Sequence, residues 1–167
     1  MQTRTHIALA LTLTALGLAP GASHLMELPV KLGYPAAFYA EVTSTLYAWY
    51  GVAGGSVQVA AAIAVVVLAM RLHRAPEFGL AMAAAASLLV SLALWGFVVS
   101  PVNAVWAELS RADPAAWAAG YERLRARWEF GHVAAFIAWL TGWFGLLSLS
   151  LRWPGSPPRD ERDTLAA

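Results

Sequence analysis

The stretch Arg127-Trp128-Glu129-Phe130-Gly131-His132 sets three ionisable side chains and a tryptophan at the mouth of an otherwise apolar segment. Glu129 and His132 are three residues apart, so on a helix they share one face and can share a proton, a metal or a ligand. His24-Leu25-Met26-Glu27 repeats the pairing at the end of the first apolar segment. Two imidazoles and two carboxylates open three kinds of chemistry. His24, Glu27, Glu129 and His132 can hold a single metal ion, since neutral imidazole and carboxylate suit zinc or iron. The two histidines can instead ligate haem iron from opposite faces. The third option needs no cofactor: His132 is a general base oriented by Glu129 or Glu27, and Arg127 with Asn103 stabilises an oxyanion on an apolar substrate. Trp106, Trp128 and Glu41 are then the substrate contacts. A di-iron site of the four-helix kind needs further inward carboxylates on the second and third apolar segments, and these have none.

The elements that must position these groups are read from composition. Hydrophobic residues make up 59% of the chain and charged residues 13%, roughly half the charged share of a soluble domain. The charges cluster between long apolar runs, as when each run crosses a hydrocarbon core of about 30 Å in about 20 helical residues. The expected fold is therefore all-α: a bundle of four transmembrane helices over residues 7–28, 51–70, 79–99 and 127–151, with short interfacial helices between spans 1 and 2 and between spans 3 and 4. A net charge of +1 gives no basic field for nucleic acid. The absence of cysteine excludes disulfides, thiolate metal sites and a cysteine nucleophile.

In chain order, Gly17, Pro20, Gly21, His24 and Glu27 fall on one side of the first span, where small residues let another helix approach. The start of this span has the shape of a secretory signal, but its apolar character continues to Leu28 and Pro20 suits a cleavage site poorly. Phe38, Glu41, Val42, Thr45, Leu46 and Trp49 recur at helical spacing, which predicts a surface helix leading into the second span, with Tyr47, Trp49 and Tyr50 as an interfacial aromatic belt. Gln58 is the one strongly polar side chain of that span. Ser87 and Ser91 of the third span bond to their own helix or to a neighbour. Ser100-Pro101 and Asp113-Pro114 read as caps followed by first-turn prolines, the second opening a helix that runs into the fourth span. That span carries a small-residue face (Gly131, Ala135, Ala138, Gly142 and Gly145 among others) and an opposite face with Trp128, Glu129, His132, Phe136 and Trp139. The tail 153–167, rich in proline and charge, reads as disordered.

Four spans put both termini on one side of the membrane and gather His24, Glu27, Glu41, Asn103, Trp106, Arg127, Glu129 and His132 at the other. Ionisable groups inside spans are costly and read as functional. The plainer reading is a set of interfacial charges snorkelling to the headgroups, which suits Arg123 and Arg125. Arginines 4, 71, 74, 152, 159 and 162 weight the terminal side, which places the termini in the cytoplasm of a multi-pass protein of the cell membrane.

The combination His24-Leu-Met-Glu27-Leu-Pro29, Ser100-Pro101-Val-Asn103, Trp117 and Arg125-Ala-Arg127-Trp128-Glu129-Phe-Gly-His132 resembles the anthrone-oxygenase-like family of small four-span membrane proteins. Asn103, Arg127 and Trp128 match that family's pattern, and Glu129 with His132 matches its bacterial branch. The resemblance implies an oxidoreductase that acts on a lipophilic aromatic or quinone-like molecule without an evident cofactor. Two other classes compete with it: a small proton-coupled transporter using Glu27, which fits a homo-oligomer, and a non-catalytic subunit whose polar cluster is a structural clamp.

Overall fold

The computed structural model describes residues 2–47, 49–109, 111 and 113–153. These residues are helical almost throughout and contain no strand. The expected disordered tail, beyond Trp153, lies outside them. The helices are α1 (Thr3–Leu16), α2 (Ala19–Lys31), α3 (Ala36–Thr45), α4 (Gly55–Arg71), α5 (Phe78–Leu94), α6 (Ser100–Leu109) and α7 (Pro114–Arg152). Two π-helical segments, Tyr50–Gly54 and Trp95–Val99, lead into α4 and join α5 to α6. Among the described residues, four helical units are long and apolar enough to cross a membrane: Thr3–Lys31, Tyr50–Arg71, Phe78–Leu109 and Ala115–Arg152. The chain is thus an all-α bundle with the build of a membrane protein; α3 lies between the first two spans as expected, whereas α6 continues the third helical unit rather than standing apart from it.

The first span is not one unbroken helix. Pro20 has no N–H and sits in the first turn of α2, and the Leu18 N–H turns back to the Ala15 carbonyl. The break leaves carbonyls for side-chain donors from other spans. Trp139 Nε1 donates to the Thr14 carbonyl at 2.9 Å, and Gln58 Nε2 donates to the Gly17 carbonyl at 2.9 Å. This accounts for the one amide in an otherwise apolar second span, since buried backbone groups must be paired where no water reaches. The helix also passes through Pro29 and ends at Lys31, a turn beyond the boundary that hydropathy gives.

The 39 residues of α7 extend about 58 Å at about 1.5 Å per residue, nearly twice a hydrocarbon core. Asp113 caps its start by accepting from the N–H groups of Ala115 and Ala116 at 2.8 and 3.0 Å. Both sides of α7 pack on protein. A Cβ on Gly142 would lie 2.8 Å from Leu88 Cδ2 and 3.1 Å from the Ala84 carbonyl. Ser87 and Ser91 donate across the same seam to the carbonyls of Ala138 and Ala135. On the opposite side, Gly17 and Gly21 admit the rings of Trp139 and Phe136. We expect Gly142→Leu to destabilise the bundle by about 1–3 kcal/mol through overpacking. Gly79→Ala, where a Cβ meets nothing within 4 Å, is expected to stay within about 0.5 kcal/mol. Thermal unfolding in detergent checks both.

Candidate functional site

The site is built on a cation outside the set His24, Glu27, Glu129 and His132. Lys31, the only lysine, is buried at the end of α2. Its Nζ donates to Glu129 Oε2 at 3.0 Å and meets His24 Nδ1 at 3.2 Å. Glu27 Oε2, one turn earlier on the same helix face, is 3.9 Å away. Glu129 is fully buried, and its second oxygen accepts from the Tyr39 hydroxyl at 2.9 Å. Tyr39 is braced in turn by the Arg125 guanidinium, 4.3 Å above its ring, which also donates to the Leu32 carbonyl. The Tyr47 hydroxyl donates to Glu27.

His24 and His132 come together, with ring centroids 4.1 Å apart, and the edge of Trp128 closes on both. The hydrogen-bond network assigns their tautomers. A backbone carbonyl can only accept, so the contact of His132 Nδ1 with the Trp128 carbonyl at 2.9 Å puts the proton on Nδ1 and leaves Nε2 as a base. The Lys31 ammonium can only donate, so His24 Nδ1 accepts and His24 Nε2 carries the proton. One imidazole is an acceptor and its neighbour is a donor.

Both line a cavity of about 600 Å³ at the centre of the bundle. Its walls are mostly apolar and aromatic, with Trp95, Trp106, Trp128 and Trp139 among them, and Asn103, Ser91 and Gln58 contribute scattered polarity. Trp128 Nε1 donates to Asn103 Oδ1 at 2.7 Å. Trp106 stacks on Tyr121 and donates to the Gly120 carbonyl.

Of the residues expected at the site, His24, Glu27, Glu129 and His132 converge, and Asn103, Trp106 and Trp128 join His24 and His132 at the cavity. Two do not. Arg127 is exposed and donates to the carbonyls of Val98 and Phe97. Pro101 has no N–H to return to Phe97 four residues earlier, so the arginine fills a backbone vacancy rather than facing a substrate. Glu41 lies on the exposed side of α3. Of the stripe read there, Phe38, Glu41, Thr45, Leu46 and Trp49 point outward, whereas Val42 is half-buried and packs against the buried cluster of Tyr39, Ala40 and Tyr47. Tyr47 and Tyr50 accordingly leave the proposed aromatic belt and pack around His24. The available signal for Lys31 was its spacing, four residues after Glu27 and seven after His24, on one helical face.

The metal and haem options do not fit this geometry. Among the described residues, no three His, Asp or Glu side chains are placed to share an ion. Lys31 itself supplies the positive charge between Glu27 and Glu129. Haem ligation needs iron and a porphyrin plane between two axial imidazoles, whereas the His24 and His132 rings are already in mutual contact.

Compared with family models, curated proteins and solved structures, the chain matches none. Fold and site together define its class: an all-α membrane bundle with an internal ion pair beside an aromatic cavity.

Removing one partner of a buried pair strands the other's charge, at a cost of about 3–5 kcal/mol, whereas replacing both with apolar groups is often neutral. Glu129→Gln is therefore expected to destabilise the bundle by that amount, and adding Lys31→Met to recover most of it, in a double-mutant cycle read by thermal unfolding. Tyr39 and Tyr47 lie between the first two spans. Burial pushes both phenols up, assisted by Glu129 for Tyr39 and by Glu27 for Tyr47. A raised folded value makes their contribution to stability complete below the unfolded value of about 10 and lost as pH rises beyond it. Of the five tyrosines, at least these two should resist ionisation above pH ~10 in an absorbance titration until the chain unfolds.

Proposed function

We propose that the protein is an oxidoreductase that removes a proton from a lipophilic, anthrone-like molecule held in the cavity and lets dioxygen oxidise the resulting enolate. The observation that carries the reading is the pair of opposed imidazoles at the cavity wall, with His132 Nε2 free to accept and His24 Nε2–H free to donate. The motif resemblance supports it. So does the cavity, of a size and aromatic character suited to a polycyclic ligand.

In this reading the substrate carbonyl accepts from His24 Nε2–H, and His132 Nε2 takes a proton from the activated methylene. Lys31, bonded to His24 Nδ1, strengthens that donor. The enolate then gives its electrons to dioxygen. One oxygen atom stays on the former methylene carbon as a carbonyl. The other leaves as water with the two hydrogens that the carbon has lost, one of them returned by His132. Anthrone and dioxygen thus give anthraquinone and water, and atoms and electrons balance. Glu129 and Tyr39 do not touch the substrate; they hold Lys31 and are positioning residues. We place the protein in the cell membrane with cytoplasmic termini, on the arginine distribution.

Purified protein in liposomes should consume dioxygen when given anthrone, with anthraquinone as product. His132→Ala should lower the rate by about 10²–10⁴-fold, the usual contribution of a general base, while Glu41→Gln, on the exposed side of α3 and outside the cavity lining, should change it little. An active His132→Ala enzyme would reject the assignment.

A further inference from the structure

We propose that the cavity is loaded from within the bilayer, through a slit between the second and third spans, by a flat lipophile with one polar end. This rests on reading the cavity as a ligand site. The lining residues from α2 and α7 are all buried or half-buried. The exposed lining residues are Ser44, Gly51, Val59, Trp95, Asn103 and Ala107. Each belongs either to α3 and the second span or to the third span and α6. The open side therefore runs between those two walls.

The character of the slit changes along its length. Ser44 and Asn103 make one end polar. Further along come Gly51, Gly55, Val59 and Trp95. Val59 is nine residues beyond Tyr50, about 13 Å along the helix axis, which is below headgroup level in a bilayer with a core of about 30 Å. An aqueous entrance would be rimmed by polar side chains throughout, and beyond the Ser44 and Asn103 end this rim is glycine, valine and tryptophan. Gly51, Gly55 and Val59 also line a groove that continues onto the outer side of α4 beside exposed Val52 and Ile63. A Cβ on Gly51 or Gly55 would meet nothing within 4 Å, so these glycines leave space where a larger side chain would close the slit.

Both edges carry π-helical segments, Tyr50–Gly54 and Trp95–Val99, and Arg127 secures the second through the Phe97 and Val98 carbonyls. That contact gives Arg127 a role at the edge of the opening rather than at the reacting atoms. The ligand's polar end meets His24 and His132, and its apolar body lies between Gly55, Val59 and Trp95, continuous with the acyl chains.

Anthracene in phosphatidylcholine proteoliposomes tests this route, because energy transfer from the cavity tryptophans to anthracene reports loading without any reaction. The native chain should show saturable transfer. Gly55→Leu and Gly51→Leu, with melting temperatures unchanged, should slow its onset by about tenfold, and Gly79→Leu, outside the cavity lining, should stay within about twofold. Unimpeded loading of both glycine variants, or no saturable transfer in the native chain, would overturn the proposal. The catalytic reading is tested apart from it. Anthracene loading through the slit without anthrone turnover removes the chemistry alone and supports the route, while anthrone turnover at the native rate in Gly55→Leu removes the route alone.

Discussion

The bundle depends on one buried charge pair, Lys31 with Glu129, which joins the end of the first span to the middle of α7. In surroundings of low dielectric an isolated ammonium or carboxylate costs several kcal/mol, and only a well-bonded partner offsets that cost. Both Glu129 oxygens are satisfied, one by Lys31 and one by Tyr39, so the carboxylate fixes three segments at once. The remaining polar groups follow from this. His24 takes its tautomer from Lys31, Glu27 holds Tyr47, and the two imidazoles meet because α2 and α7 are already tied by the Lys31–Glu129 pair, about two turns along α2 and one along α7.

Much of the fold was legible because lipid imposes a coarse code. Four apolar runs of sufficient length, the Asp113-Pro114 cap, and glycines placed where helices touch need no tertiary information to be read. The convergence of His24, Glu27, Glu129 and His132 also followed, since an even number of spans dictates which ends are neighbours. What the pattern hid is specific. Beside lipid an apolar stripe marks the outward face of a helix as readily as the inward one, so helical spacing alone did not show which side of the surface helix meets protein. Tyr39 was not singled out and Tyr47 was assigned to the interfacial belt, although they are the residues that bond the two carboxylates.

Prolines account for the remaining differences. The first span, expected to be continuous through Pro20, breaks there into α1 and α2, Pro29 lies inside α2, and Ser100-Pro101 opens α6 as its cap-and-proline pattern indicates. Gln58 and Trp139 satisfy carbonyls at the first break, and Arg127 does the same beside Pro101. A side chain that serves the backbone cannot be told from one that serves a substrate until the carbonyl it meets is known. Lys31 was hidden because apolar character stops at Leu28, which put the lysine outside the span, whereas α2 continues to Lys31.

A single lysine makes the central claim open to direct measurement. Protein labelled with ¹⁵N-lysine yields one side-chain resonance. A buried Lys31–Glu129 pair gives an ammonium whose protons exchange slowly with water and whose signal shifts sharply in Glu129→Gln. A fast-exchanging resonance, indifferent to the residue at position 129, would contradict it.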